Sequence, residues 1–238
     1  MPRVKLKNKV ILAEGTAGFY FERSSGFQFE AGQFGDWTLI DPPETDQEGN
    51  TRSFTIASAP AERDLMIATR MRNTAFKRVL NSTVPGTEVE LDGPFGQMVL
   101  HDHPGRPAVF LAGGIGITPF RSIAIQAARG AQPQQMYLFY SNRRPEDAAF
   151  LDELVLLGKQ NPKFKLIATM TDMAHSSRTW NGETGFIDGV MLSRYLPDIV
   201  APLYYIAGPP QMVAAMRKTL NQVGVKSQDV RFEDFVGY

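Results

Sequence analysis

A glycine-rich turn in the middle of the chain combines the residue types that bind phosphate. The segment Gly113-Gly114-Ile115-Gly116-Ile117-Thr118-Pro119 follows a continuous apolar stretch and precedes a helical pattern. Glycines let backbone N–H groups approach an anion closely, and a helix N-terminus adds partial positive charge. Pro119 suits the first helical turn, where a missing N–H costs nothing. A tight structural turn would use the same glycines, but the strand–turn–helix context favours a phosphate site.

A second candidate is the segment Arg52-Ser53-Phe54-Thr55-Ile56-Ala57-Ser58. On a strand, alternate side chains share a face, so Arg52 and Phe54 lie together, with Ser58 as a further candidate, and Thr55 lies opposite. A guanidinium beside an aromatic ring and a hydroxyl suits a ligand that has both a phosphate and a ring. Taken alone, the segment is more simply a strand that carries an exposed arginine.

Three histidines offer little for a metal. His101 and His103 lie in a linker rich in proline and glycine without a third ligand nearby, and His175 lies in a polar loop. We interpret all three as polar loop residues and predict no metal site. The chain has no cysteine, which excludes disulfides, thiolate nucleophiles and cysteine-ligated iron–sulfur clusters within these residues.

Composition indicates a globular protein. Of 238 residues, 43% are hydrophobic and 21% charged, and the 25 basic and 25 acidic residues cancel. That balance gives no electrostatic reason to expect a nucleic acid partner. No stretch approaches the roughly 20 apolar residues of a membrane span, and the N-terminal apolar run is too short for a signal peptide. We therefore expect a cytoplasmic protein without membrane insertion, and a monomer by default.

The elements that must position these residues fall into two groups. Short strands separated by turn signals predict an antiparallel β-barrel over residues 1–102, with one helix beginning near Thr74. From residue 103 to 238, uniformly apolar strands alternate with helices, including a helix predicted over residues 146–159. That pattern predicts an α/β domain with a parallel sheet covered on both faces.

Four motifs occur in an order that resembles the ferredoxin–NADP reductase superfamily over essentially the whole chain. They are Arg52-Ser-Phe-Thr, Gly93-Pro-Phe-Gly96, the glycine turn at residues 113–119, and Ala207-Gly-Pro-Pro-Gln-Met212. The resemblance implies a flavin-binding barrel followed by a nicotinamide-nucleotide-binding domain. It implies no iron–sulfur domain in this chain.

The resemblance assigns the flavin site to the barrel. In such proteins the arginine of the first motif pairs with the flavin diphosphate, the aromatic residue lines the ring, and the hydroxyl residue reaches the reactive N5 edge. These roles fall on Arg52, Phe54 and Thr55, with threonine replacing the commoner serine. A helix N-terminus at Thr74 and Ala75 would hold the second phosphate, which favours FAD over FMN; Thr74 is compatible with a plain N-cap as well. Ser53 and Thr69 complete the predicted flavin-binding residues.

The resemblance places the nicotinamide nucleotide on the second domain. Its diphosphate would bind at Gly114, Gly116, Thr118 and Pro119. The turn that positions nicotinamide is similar to Gly208, Pro209 and Met212. The family usually has cysteine where this chain has Ala207, a change that removes a thiol and leaves the turn.

The choice between NADH and NADPH depends on two strand ends. Arg143 could bind a ribose 2′-phosphate, whereas Asp172 could accept from a 2′-hydroxyl and repel a phosphate. Both are compatible with solvated surface charges. Asp172, with Trp180 and Phe186 downstream, resembles NADH-dependent members and favours NADH.

Two C-terminal residues complete the prediction. The resemblance brings a carboxylate of the last strand, here Glu233, close to the flavin, and a terminal aromatic residue, here Tyr238, over its ring; a frayed end explains Tyr238 equally well. We expect Thr55 and Glu233 to be catalytic.

The expected activity is hydride transfer from NAD(P)H to FAD, followed by electron transfer to a separate acceptor such as ferredoxin or another one-electron carrier. The alternatives are a reductase of quinones, metal chelates or free flavin, and a flavin-holding regulatory subunit without turnover. The sequence leaves the acceptor unidentified.

Overall fold

The computed structural model describes residues 2–130 and 132–236. The first sheet is antiparallel, with strand order β4-β3-β6-β1-β2-β5. Its strands are β1 (Arg3–Ala13), β2 (Thr16–Phe21), β3 (Phe34–Leu39), β4 (Thr51–Thr55), β5 (Leu65–Arg70) and β6 (Glu88–Phe95). Helix α1 (Ala75–Ser82) follows β5 and buries Phe76 and Leu80 at the barrel core.

The sheet curls because its two edge strands meet. Beyond β4, the Ala57 N–H donates to the carbonyl of Met66 at 2.7 Å, and the Met66 N–H donates to Ser58 Oγ at 3.0 Å. Trp37 and Phe19 fill the space that the curl encloses. The result is the predicted antiparallel barrel, open along part of one side.

The second sheet is parallel, with strand order β10-β9-β8-β7-β11-β12. Its strands are β7 (Ala108–Gly113), β8 (Met136–Asn142), β9 (Phe164–Met170), β10 (Glu183–Thr184), β11 (Leu203–Gly208) and β12 (Val230–Asp234). Its helices are α2 (Ile117–Arg129), α3 (Leu151–Gln160), α4 (Gly189–Tyr195) and α5 (Pro210–Gln222). Every residue of β7 and β11 is buried, as a central parallel strand covered on both faces requires. The predicted α/β domain is confirmed.

One predicted helix starts later than the sequence indicates. The sequence predicts a helix over residues 146–159, but Pro145–Asp147 form a 3₁₀ turn and α3 begins at Leu151. Phe150 interrupts the pattern with a left-handed backbone at φ 62°. The prediction was wrong for the first turn of the helix, because the hydrophobic pattern of a sequence does not show where one residue adopts a left-handed backbone.

The two domains share a core and an ionic contact. Ala57, Met66 and Ala68 of the barrel pack in the same cluster as Phe110 and Phe120 of the α/β domain. Arg121 of α2 is 3% exposed. It donates to the Ala57 carbonyl at 2.8 Å and pairs with Glu62 at 2.9 Å and Glu153 at 2.6 Å. Within the described residues, no helix has the length and apolar character needed to cross a membrane.

Candidate active site

The carboxyl ends of the parallel strands bring several predicted residues to one edge of the sheet. Gly113 pairs with Ser141, and Asn142 with Met170, so the turns after β7, β8 and β9 lie side by side. β7 has β8 on one side and β11 on the other. Such a switch point leaves a crevice above the strand ends, where α/β proteins bind their ligands.

Two glycines of the glycine turn differ in the space around them: Gly114 is open, and Gly116 is closely packed. Gly114 has φ +54°, and a Cβ built on it would meet nothing within 4 Å. A Cβ on Gly116 would lie 2.2 Å from the carbonyl oxygen of Ala207. The hydroxyl of Thr118, 1% exposed, donates to the Ile115 carbonyl at 3.0 Å. Gly114 is therefore available to a ligand, whereas Gly116 and Thr118 build the turn.

The turn after β11 supports the glycine turn directly. A Cβ on Gly113 would lie 2.2 Å from the sulfur of Met212 and 3.0 Å from Cδ of Pro209. Ala207 is fully buried, and its carbonyl is the group that excludes a side chain from Gly116. The predicted pair of turns is thus one packed unit.

In the barrel, Arg52 and Phe54 lie on the same face as expected. Both contact Phe76 in the first turn of α1, with the Arg52 guanidinium 5.3 Å and the Phe54 ring 5.7 Å from its centroid. Thr74 caps this helix, because its hydroxyl accepts from the Lys77 N–H at 3.4 Å. Arg52, Thr74 and Ala75 therefore surround one helix N-terminus, where an anion is stabilised.

Two further predicted flavin residues make local hydrogen bonds. Ser53 bonds Asp36 across the β3–β4 pair. The hydroxyl of Thr69, 4% exposed, donates to the carbonyl of Arg70 at 3.3 Å.

The sequence did not indicate what already pairs with Arg52. Its guanidinium forms ion pairs with Asp46 at 3.0 Å and Glu48 at 2.9 Å, both on the loop before β4. The loop reads in sequence as a polar turn with proline and glycine, and no periodicity in it predicts this contact.

A continuous series of contacts joins Thr55 to the glycine turn. Thr55 pairs with Phe34 across β3 and β4. A Cβ on Gly96 would lie 2.9 Å from the Phe34 ring and 3.6 Å from Glu233 Oε1. Glu233 is in register with Ala207, whose carbonyl meets the Gly116 position. We call the region along this series, where barrel residues meet β11, β12 and the glycine turn, the interdomain cleft.

Glu233 is the titratable group of that cleft with a displaced pKa. Burial raises the pKa of its carboxyl to about 7. A carboxyl group that titrates near neutral pH can hold or release a proton under working conditions. Tyr238, the other predicted C-terminal residue, lies outside the described residues.

The two residues predicted to select between NADH and NADPH bind each other. Asp172 Oδ2 accepts from Arg143 at 2.9 Å, and Asp172 Oδ1 lies 2.6 Å from Nδ1 of His175. The hydrogen bond from His175, followed by that from Arg143, lowers the pKa of Asp172 below its usual value. The carboxylate is thus ionised and neutralises Arg143 at the strand end.

His101 differs from its interpretation as a polar linker residue. It is 4% exposed, and its Nδ1 lies 2.8 Å from the hydroxyl of Tyr205, while its Nε2 lies 3.0 Å from the carbonyl of Arg106. The ring anchors the linker to β11. Among the described residues, no three His, Asp or Glu side chains are grouped to hold a metal ion.

Comparisons with known proteins place this geometry in a family. Residues 110–218 match the oxidoreductase NAD-binding domain family. The FAD/NAD-binding domain of a nitric oxide dioxygenase from Vibrio cholerae superposes with a TM-score of 0.84 at 18% identity, covering 98% of each chain. A ferredoxin NADP+ reductase from Neisseria gonorrhoeae, solved with FAD and NADP, gives a TM-score of 0.80 at 20% identity, also covering 98% of each chain. Residues 110–218 are therefore an oxidoreductase NAD-binding domain, and the chain as a whole has the fold of these FAD- and NAD(P)-binding structures.

The match to an oxidoreductase NAD-binding domain supports the predicted oxidoreductase class and the NAD(P)H cofactor, and a neighbour of the same fold holds FAD. By sequence it is similar to one subunit of the Na(+)-translocating NADH-quinone reductase of Idiomarina loihiensis. The two are 29% identical over 221 residues, which cover 85% of this chain and 54% of that protein. This chain thus spans about half the length of the relatives it matches.

Proposed function

We propose that this chain takes a hydride from NADH onto bound FAD in the interdomain cleft and passes the electrons on to a separate acceptor. The series of contacts from Thr55 through Glu233 to Gly116 carries the proposal. It brings the predicted flavin strand and the predicted dinucleotide turn to the same cleft. Hydride transfer requires the two rings to be in contact, and this arrangement supplies the orientation.

The residues present fit both cofactors. At the barrel, a carboxylate of the chain stands beside Arg52 and α1, so the chemistry there is that of an anion site. At the α/β domain, Gly114 leaves free space before α2, whose first turn has no acidic residue. Arg52, Thr74 and Ala75 would hold the flavin diphosphate, and Gly114 the nicotinamide nucleotide diphosphate.

FAD, when bound, supplies the ability to accept a hydride and release electrons singly. The chain supplies position and a proton. Thr55, 7% exposed, offers a hydroxyl at the ring edge, and Glu233 can hold a proton near neutral pH. Ala207, which replaces the family's usual cysteine, keeps the backbone of its turn while contributing no thiol.

We propose NADH as the donor because Asp172 is ionised and already occupies Arg143. A 2′-phosphate would have to separate this pair and would meet a like charge. The 2′-hydroxyl of NADH can instead donate to the carboxylate.

A quinone is the second candidate acceptor. It is supported by the similarity to subunits of NADH-quinone reductases, while ferredoxin or another one-electron carrier remains the first candidate. A cytoplasmic location and a monomeric state are further proposals.

The test is anaerobic mixing of the FAD-reconstituted protein with NADH or NADPH. Rapid loss of the yellow flavin absorbance, faster with NADH, is the expected result. Flavin binding without loss of colour would instead favour a flavin-holding regulatory subunit. Reoxidation of the reduced protein by ferredoxin, a quinone or free flavin then ranks the acceptors.

A further inference from the structure

The loop between β3 and β4 folds its acidic side chains onto the barrel's anion site. We call residues 41–50 the acidic loop. Glu44 pairs with Arg78 of α1, and Asp46 and Glu48 both pair with Arg52 of β4. Three carboxylates of one loop are thus held by cations around the N-terminal half of one helix.

Asp46 is the carboxylate placed most like a bound phosphate. Its Oδ1 accepts from Arg52 Nη2 at 3.0 Å and from the Glu48 N–H at 3.1 Å. Partial desolvation raises its pKa, but hydrogen bonds from Arg52 and from the N–H groups of Glu48 and Ala75 prevail and lower it. Ala75 is the first residue of α1, so the carboxylate that pairs with Arg52 is also stabilised by the helix N-terminus.

Both Nη groups of Arg52 are already engaged by the acidic loop and the start of β4. Its Nη1 donates to the carbonyls of Glu48 at 3.0 Å, Gly49 at 3.0 Å and Thr51 at 2.8 Å. Its Nη2 is shared by Asp46 and Glu48, and its Cζ lies 5.3 Å from the Phe76 ring centroid. A phosphate that binds Arg52 Nη2 and the Ala75 N–H must therefore displace the Asp46 carboxylate.

We propose that Asp46 competes internally with the flavin diphosphate and so determines how strongly this chain prefers FAD to flavins without phosphate. The proposal rests on the proposed function, since it assumes a flavin on the barrel. When a protein's own group holds the binding site, the apparent affinity falls by the fraction of molecules in which the site is free. Riboflavin, which has no phosphate, does not experience this competition.

The experiment measures dissociation constants for FAD and riboflavin by flavin fluorescence at fixed ionic strength. It compares the wild type, Asp46→Asn and the control Asp64→Asn. Asp64 is a matched control because it is also a partly exposed barrel aspartate in an ion pair, with Lys7 at 2.8 Å. Asp46→Asn should bind FAD about tenfold more tightly. A change of this size is within the effect of one partly buried charge at a helix N-terminus. Its riboflavin affinity, and both affinities of Asp64→Asn, should stay within about twofold of wild type.

A second variant keeps the proposal testable if Asp46→Asn fails to fold. Glu48→Gln removes the other carboxylate on Arg52 Nη2 and should tighten FAD binding by about threefold, because it leaves the helix N-terminus unchanged. Unchanged or weaker FAD binding in the folded variants would overturn the role of Asp46 and leave the proposed function standing. If no variant binds any flavin, both the inference and the proposed function fail.

Discussion

Each domain has a helix N-terminus at a proposed anion site, but only the site in the barrel already holds carboxylates of the chain itself. At α1, Asp46 and Glu48 already pair with Arg52. At α2, Gly114 faces open space, and the first turn carries no acidic side chain. The same backbone dipole operates in both places. The affinity of such a site therefore depends on the groups that a ligand must displace as well as on the contacts that it forms.

The two sites also differ in what builds them. The α2 site is made of backbone that packs against backbone, so a glycine at position 116 is a steric requirement. The α1 site is made of side chains, so single charges can be removed without disturbing the chain path. Substitutions at the first site should therefore have the larger effects.

The largest effect is expected for Gly116→Ala. The new Cβ would lie 2.2 Å from the carbonyl of Ala207, and overpacking of this kind should lower the free energy of unfolding by about 3 kcal/mol. NADH binding should be lost as the turn shifts. Gly114→Ala is the control, with open space around it and a cost of about 1 kcal/mol from its left-handed backbone. Urea unfolding of both variants measures the difference; equal costs would contradict the packed turn.

Arg121→Met tests whether the α2 site depends on the ion pairs that attach α2 to the barrel and to α3. The change leaves Glu62 and Glu153 without their partner, and we expect a loss of about 2–3 kcal/mol, since both carboxylates are partly solvated. NADH should still bind, whereas flavin reduction should slow because α2 no longer fixes the barrel. Arg129→Met, which removes an exposed contact to the Ala61 carbonyl, is the control. If both variants reduce flavin at the same rate, Arg121 has no positioning role.

Glu233 adds a pH dependence at the cleft between the two sites. Burial raises the pKa of Glu233 to about 7 in the folded protein, so protonation of this carboxyl stabilises the folded state. The stability it contributes is full below the unfolded pKa and is lost as pH rises through about 7. We expect a loss on the order of 1–2 kcal/mol, less than the whole shift would give, because the carboxyl is partly exposed. Glu233→Gln should flatten this part of the profile of unfolding free energy against pH. A wild-type profile without that decline would show that the carboxyl is not buried.

The smallest effect concerns the nucleotide that the open site accepts. Asp172→Asn removes the like charge that a 2′-phosphate would meet, and frees Arg143 to bind it. The ratio of NADPH to NADH in kcat/KM should rise about tenfold, which corresponds to ~1.4 kcal/mol. Asp152→Asn, an exposed aspartate in the first turn of α3, serves as the control. An unchanged ratio in Asp172→Asn would mean that Asp172 is not the selector.

The sequence predicts those parts of the structure that depend on local patterns. Continuous apolar runs indicate β7 and β11, and the strand–helix context indicates the glycine turn between β7 and α2. Helix α4 is not predicted, because its seven residues are too few to show a helical period. The start of α3 is likewise not predicted, because the left-handed backbone of Phe150 moves it to Leu151 without any sign in the composition.

Contacts between distant residues are the part that local patterns do not contain. In the sequence, Arg143 and Asp172 give opposing indications, yet they form one ion pair 29 positions apart. His101 needs Tyr205, 104 positions away, to become a buried anchor. The pairing of Arg52 with the acidic loop is close in sequence, but it depends on how the loop folds over α1.

The most direct test of the account uses NADH carrying deuterium on one or the other face of the nicotinamide C4. In the proposed complex the cleft holds one face of the nicotinamide against the flavin. The NAD+ product should therefore lose the deuterium completely from one of the two labelled forms and keep it completely in the other. A mixture of labelled and unlabelled NAD+ from both forms would mean that hydride leaves without a fixed orientation. That result would contradict a cleft that holds the two rings together.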